Sequence, residues 1–129
     1  MKARLPADAS APSEARAFVT AQLSSTRLPP DVTADDVVLV TSELVTNAVN
    51  AGGSTLEVEI LASPHRVELV VSDDAGGWPA PNTPDVNDLT GRGLQIVDHL
   101  AHSWGTTRRS RGKSVVARWF DQKRQPATQ

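Results

Sequence analysis

Residues 33–50, TADDVVLVTSELVTNAVN, decide how this chain folds. Thr33 predicts a helix N-cap, with Asp36 three residues on in the manner of a capping box, and Gly52-Gly53 supplies the stop. At ~100° per residue, Val37, Val38, Thr41, Leu44, Val45, Ala48 and Val49 share one broad apolar face. Glu43, Asn47 and Asn50 fall on a narrow polar stripe elsewhere, with Asp36 in line. The i, i+4 spacing therefore stacks an acid and an amide. An acid that can take a proton, one turn from a neutral oxygen that can ligate a hard cation, is the raw material of metal-assisted phosphoryl chemistry. The ordinary fate of such a stripe is to face solvent. Asparagine is a poor choice for an exposed helix interior, however, and two of them in line with Glu43 point to a site.

Working outward, residues 1–12 are small, polar and proline-punctuated, and read as a flexible lead-in. Ala15, Phe18, Val19 and Leu23 have helical spacing, so a first helix is expected from Ser13, its N-cap, to Leu23. Leu28-Pro29-Pro30-Asp31 forbids its continuation. Downstream, Leu56, Val58 and Ile60 alternate with Glu57 and Glu59, and Val67, Leu69 and Val71 with Glu68 and Val70. These are two strands joined by a turn at Ser63-Pro64-His65-Arg66. Trp78 to Asp88 has three prolines, two asparagines and no period, and an aperiodic connection of that length suggests a functional loop such as a lid. A third helix opens at Gly91-Arg92-Gly93 and runs through Leu94, Ile96, Val97, Leu100 and Ala101. A second hairpin closes the chain: Ser103 to Arg109, a turn at Ser110 to Lys113, then Ser114 to Phe120. The order α-α-β-β-α-β-β predicts an α/β (α+β) two-layer sandwich, three helices on one face of a mixed sheet. The domain is expected over 13–121, with a disordered tail at 122–129.

The 129 residues make one ordinary domain, and the absence of cysteine rules out disulfides and thiolate metal sites. No apolar run approaches the ~20 residues of a membrane span, and no signal peptide opens the chain. A cytoplasmic protein is expected. Net charge is -2, but unevenly spread: 5 Lys/Arg against 13 Asp/Glu up to position 90, then 7 Lys/Arg against Asp121 alone from Trp104 to Arg124. A solvated hairpin explains that basic stretch better than nucleic-acid binding, since no aromatics interleave the charges. His99 and His102, at i, i+3, lack a third metal ligand and read as surface residues. Trp104 and Trp119 read as core.

Two more features converge with Glu43 and Asn47. Gly91-Arg92-Gly93 at a helix start lets backbone N–H groups approach an anion, with the helix dipole and a guanidinium in support. As an isolated pattern it would more often be a flexible loop. It is neither a Walker loop nor a dinucleotide fingerprint. Asp73 ends an apolar strand and is followed by small residues, so it can accept from an exocyclic amine, or simply form a turn.

In this order and separation, these elements resemble the nucleotide-binding domain of the GHKL superfamily, the Bergerat fold. Glu43-Leu44-Val45-Thr46-Asn47-Ala48 is similar to its N box, Asp73 through Gly77 to its Asp-x-Gly-x-Gly box, and Gly91-Arg92-Gly93-Leu94 to its second glycine box. Leu100-Ala101-x-x-Trp104-Gly105 and Gly112-Lys113-Ser114-Val115-Val116 are similar to the small stand-alone anti-sigma-factor serine/threonine kinases of actinobacteria. The resemblance implies ATP and Mg²⁺ as cofactors, Glu43 as general base and Asn47 as Mg²⁺ ligand. It implies Asp73 as partner of the adenine amine, and Gly77, Gly91, Arg92, Gly93, Leu94 and Ser114 around the nucleotide. It also implies a sigma factor and its small antagonist protein as partners, and a homodimer. Two positions depart from the pattern. Ala75 stands where the first glycine of the Asp box is expected, and Asn50 where histidine is frequent. The expected activity is phosphoryl transfer to an antagonist protein's hydroxyl. The alternatives are a nucleotide-fold module acting by protein contact alone and a nucleic-acid-binding domain.

Overall fold

The computed structural model describes residues 1–76 and 92–121. In chain order its elements are β1 (Lys2–Pro6), α1 (Ala11–Leu23), α2 (Ala34–Asn50), β2 (Thr55–Ala62), β3 (Arg66–Asp73), α3 (Arg92–Leu100), β4 (Ser103–Arg108) and β5 (Lys113–Phe120). The expected lid over Trp78 to Asp88 and the tail from 122 lie outside the described residues.

The helix at 34–50 forms as its sequence dictates. Thr33 is extended, and its Oγ1 accepts the Asp36 backbone N–H at 3.1 Å, which satisfies one of the four amides a helix start leaves orphaned. Gly52, at φ +89°, takes the left-handed position beyond the last turn. Val37, Val40, Thr41, Leu44, Val45 and Ala48 are buried. Val40 was missing from the expected face, whereas Val38 and Val49 are only half-buried. The face is rotated because α2 packs on α1, α3 and the sheet together, so its buried arc is wider than a surface helix needs. Helix α1 starts at Ala11, two residues before the expected cap. Pro12 fits the first turn, where no intrahelical N–H is required. Ser13 is an exposed residue inside the helix.

The lead-in expected over residues 1–12 contains a strand. β1 pairs antiparallel with β2, from Lys2 opposite Glu59 to Pro6 opposite Thr55. Only Ala3 and Leu5 turn toward the core, too few for a period to stand out. Lys2 and Arg4 reach Glu57 on the other face, Arg4 at 3.0 Å. The Arg4 guanidinium, through that hydrogen bond, holds the Glu57 carboxyl below its ordinary value. Basic residues and a proline suit an edge strand, which must discourage further pairing.

The five strands lie in the order β1-β2-β3-β5-β4. Each pairing is antiparallel, where a mixed sheet was expected. Both hairpins turn tightly, and the crossover from β3 through α3 to β4 leaves room for β5 between them, so β3 and β4 run in the same sense without pairing. The two-layer architecture stands. Val58, Ile60, Val67, Leu69, Val71, Val115, Ala117 and Trp119 face the helices and are buried with Ala15, Val19, Leu44, Val45, Leu94 and Val97. Trp104 packs at the margin of that core, its indole N–H on Asp98 Oδ1 at 3.0 Å.

Candidate functional site

The connection between α2 and β2 brings two of the expected site elements to one end of the sheet. The chain leaves α2 through Gly52 and enters β2 at Thr55, whose neighbour Leu56 lies opposite Asp73. The C-terminal half of α2, carrying Glu43 and Asn47, therefore ends beside the end of β3. Asp74 ties the two together: its Oδ1 accepts from Ser54 N at 2.8 Å and Thr55 N at 3.1 Å, its Oδ2 from Thr55 Oγ1 at 3.2 Å. Helix α3 is anchored at the other end of the sheet. Leu100 O accepts the Trp119 indole N–H at 2.9 Å, and His102 Nδ1 accepts Phe120 N–H at 2.8 Å, while Phe120 pairs with Arg66, the first residue of β3. The C-terminus of α3 is thereby fixed against the end of β5, and its body packs on α2. The acid–amide helix and the buried carboxylate thus meet at one end of the helical face.

Asn47 gives this arrangement its chemical character. Glu43 and Asn47 are both half-buried, yet the Asn47 amide nitrogen is fully enclosed and has no hydrogen-bond partner. An orphaned buried amide costs about 1–3 kcal/mol, which singles Asn47 out on this helix. Its amide nitrogen is a donor suited to a phosphate oxygen, and its amide oxygen a hard ligand suited to a cation. No cluster of three or more His, Cys, Asp or Glu exists among the described residues. Mg²⁺ suits such a place, since it binds through one or two protein oxygens together with substrate phosphates rather than in an all-protein cage. The residues present fit a Mg²⁺-nucleotide.

Asp73 is 3% exposed and points to the helical side, in phase with Val67, Leu69 and Val71. Its Oδ1 accepts the Ala75 backbone N–H at 3.0 Å, and Lys113 Nζ donates to its Oδ2 at 2.8 Å. Lys113 is a partner of Asp73 that the motif reading passed over. The signal was available: Lys113 is in phase with Val115, Ala117 and Trp119, and so belongs to the inward face. Ser114 is correspondingly displaced. It lies opposite Ser72, and the two hydroxyls meet at 2.7 Å on the sheet face away from the helices, so Ser114 is not beside Asp73. Leu94, also expected at the nucleotide, is 3% exposed and packs in the core. Gly77 and Gly91 lie outside the described residues. Arg92 and Gly93 begin α3, but their side-chain positions lie outside the description too. A pocket of about 220 Å³ at this end is lined by Arg4, Glu57, Ser72 and Arg109 together with Asp73 and Asp74 of the Asp box.

The turn of the last hairpin folds over the Asp box. Arg111 Nε donates to Asp74 O at 3.3 Å, and Gly112, at φ +83°, lies directly against the Asp73 carbonyl, where any Cβ would collide. The basic stretch after Arg108 is in part a clasp on this site.

The family model for the histidine kinase-like ATPase domain matches residues 5–119. The chain belongs to that family. Membership in the histidine kinase-like ATPase domain family suggests ATP binding. No curated protein was found to match. Among the described residues, no helix of this histidine kinase-like ATPase domain is long and apolar enough to cross a membrane.

Asp74 gives a pH test of how the domain holds its site. Backbone hydrogen bonds from Thr55 and Ser54, joined by the Thr55 hydroxyl, hold its carboxyl below the ordinary value of 3.8. Because the folded value is depressed, the contribution to stability is complete above the unfolded value and lost as pH falls through the folded one. Unfolding free energy measured from pH 5 downward should fall below about pH 4, and Asp74→Ala should make that fall shallower. An identical slope in the variant would remove Asp74 from the account.

Proposed function

We propose that this protein is an ATP-dependent serine/threonine protein kinase of the anti-sigma-factor type. It would phosphorylate a small antagonist protein and sequester a sigma factor in a competing complex. The observation that carries the reading is the unpartnered Asn47 amide one helical turn from Glu43, at the end of the sheet where Asp73 is buried. In the transfer, Glu43 takes the proton of the acceptor hydroxyl as that oxygen bonds to the γ-phosphorus. The bond from that phosphorus to the ADP oxygen breaks, and ADP leaves with the electron pair. Asn47 would hold Mg²⁺, which neutralises phosphate charge when bound. Asp73 orients the base.

The test is calorimetric titration with a non-hydrolysable ATP analogue, with and without Mg²⁺, followed by γ-labelled ATP with a panel of sigma-factor antagonists. Binding that strengthens with Mg²⁺, loss of that Mg²⁺ effect in Asn47→Ala, and label on an antagonist serine or threonine are expected. Nucleotide binding without transfer to any antagonist would favour the second reading, a module regulating transcription by protein contact alone.

A further inference from the structure

The Asp73–Lys113 pair bears on which base the site takes, an inference that rests on the nucleotide-binding reading above. An isolated buried carboxylate only accepts hydrogen bonds. It pairs with the 6-amino group of adenine and repels the 6-oxo group of guanine. Here the carboxylate is not isolated: Lys113 Nζ sits 2.8 Å from Oδ2, and its side chain is 20% exposed against 3% for Asp73. Asp73 Oδ1 accepts one bond, from Ala75 N, and keeps a lone pair. The ammonium keeps two further donors on a flexible stem. Gly112 against the Asp73 carbonyl and Arg111 on the Asp74 carbonyl hold the turn that carries Lys113 in place. The base therefore meets an acceptor and a donor side by side.

The edges of the two purines are complementary to such a pair in opposite orders. Adenine presents an amine donor at position 6 and an acceptor at N1. Guanine presents an oxygen acceptor at position 6 and a donor at N1. We infer that Lys113, paired with Asp73, relaxes purine selection, so that the site binds adenine and guanine nucleotides with comparable affinity. With adenine, Asp73 accepts from the 6-amine and Lys113 donates to N1. With guanine, Lys113 donates to the 6-oxygen and Asp73 accepts from N1–H. Lys113 is thus a specificity-determining residue.

The experiment is calorimetric titration of the full chain with the Mg²⁺ complexes of the imido analogues of ATP and GTP. Wild-type protein, Lys113→Met and Lys113→Arg are compared, with circular dichroism melts to establish folding. The wild-type dissociation constants should agree within about fivefold. Lys113→Met should weaken the GTP analogue relative to the ATP analogue by about tenfold or more, as expected when a base oxygen is left facing an unrelieved carboxylate. Lys113→Arg should retain the wild-type ratio. Lys113→Thr, suited to a strand, provides the same comparison if methionine disturbs the hairpin. A wild-type preference for the ATP analogue beyond about thirtyfold, or a ratio unmoved by removing the ammonium, overturns the inference while leaving nucleotide binding intact. Failure of wild-type protein to bind either analogue sinks the nucleotide-site reading and this inference with it.

Discussion

Glu43→Ala should lower phosphoryl transfer by about 10²–10⁴-fold, the range that a positioned general base contributes, while leaving the dissociation constant for Mg²⁺-ATP nearly unchanged. The separation follows from where the charge sits. Glu43 lies one turn from Asn47 on the same stripe of α2, so it can reach the attacking hydroxyl without bonding to base or phosphates. Its side chain is half-buried, and truncation to alanine on a helix costs little in propensity. Glu43→Gln keeps the shape and removes the basicity, and should fall with alanine. Single-turnover transfer from γ-labelled ATP, beside a calorimetric titration of the same preparations, reads both quantities. Full transfer by either variant would remove Glu43 from the chemistry. Equal losses of transfer and of affinity would make it a ligand contact instead.

Trp119→Ala should be the most damaging single change to the fold, at about 3–5 kcal/mol. Trp119 is 1% exposed, the largest fully buried side chain among the described residues, and it lies on the inner face of β5 opposite Val67. Two losses combine. The cavity left by an indole cannot close, because β3 and the helices fix its walls. Leu100 O also loses the indole N–H that it accepts at 2.9 Å, so the last turn of α3 gives up an anchor. Trp119→Phe keeps most of the packing and forfeits the hydrogen bond, and should cost roughly half as much. Denaturant unfolding followed by circular dichroism, which does not depend on the deleted fluorophore, measures both. A midpoint for Trp119→Ala within experimental error of wild type would mean that the indole is not packed as described.

The two changes act on opposite ends of the sheet. The Trp119–Leu100 bond fixes the last turn of α3. A partial loss of nucleotide affinity in Trp119→Phe, at temperatures where the variant remains folded, would show that this anchor positions the site.

Much of the architecture was legible because it depends on local periodicity. Thr33 caps α2 as expected, Gly52 ends it, and the alternation of Leu56, Val58 and Ile60 with charged residues gives β2 its inner face. The polar stripe of Glu43 and Asn47 was readable in the same way, as angles on one helix. β1 was not, since Ala3 and Leu5 carry no repeat by themselves and become a strand only by pairing with β2. The antiparallel sense of every described pairing was equally hidden, since it depends on which strands become neighbours.

The site divides along the same line. Residue order alone determined that an acid, an amide, a strand-end carboxylate and a helix-opening glycine pair exist at spacings suited to a nucleotide. Spacing within one element is geometry the chain carries with it. Pairing between elements decided the rest: that Lys113 rather than Ser114 stands at Asp73, and that Leu94 belongs to the core. It also decided that the Asn47 amide is enclosed without a partner. A shift of one residue in strand register exchanges the two faces of a sheet, so the choice between Lys113 and Ser114 depended on packing the apolar residues of β5 against the helices.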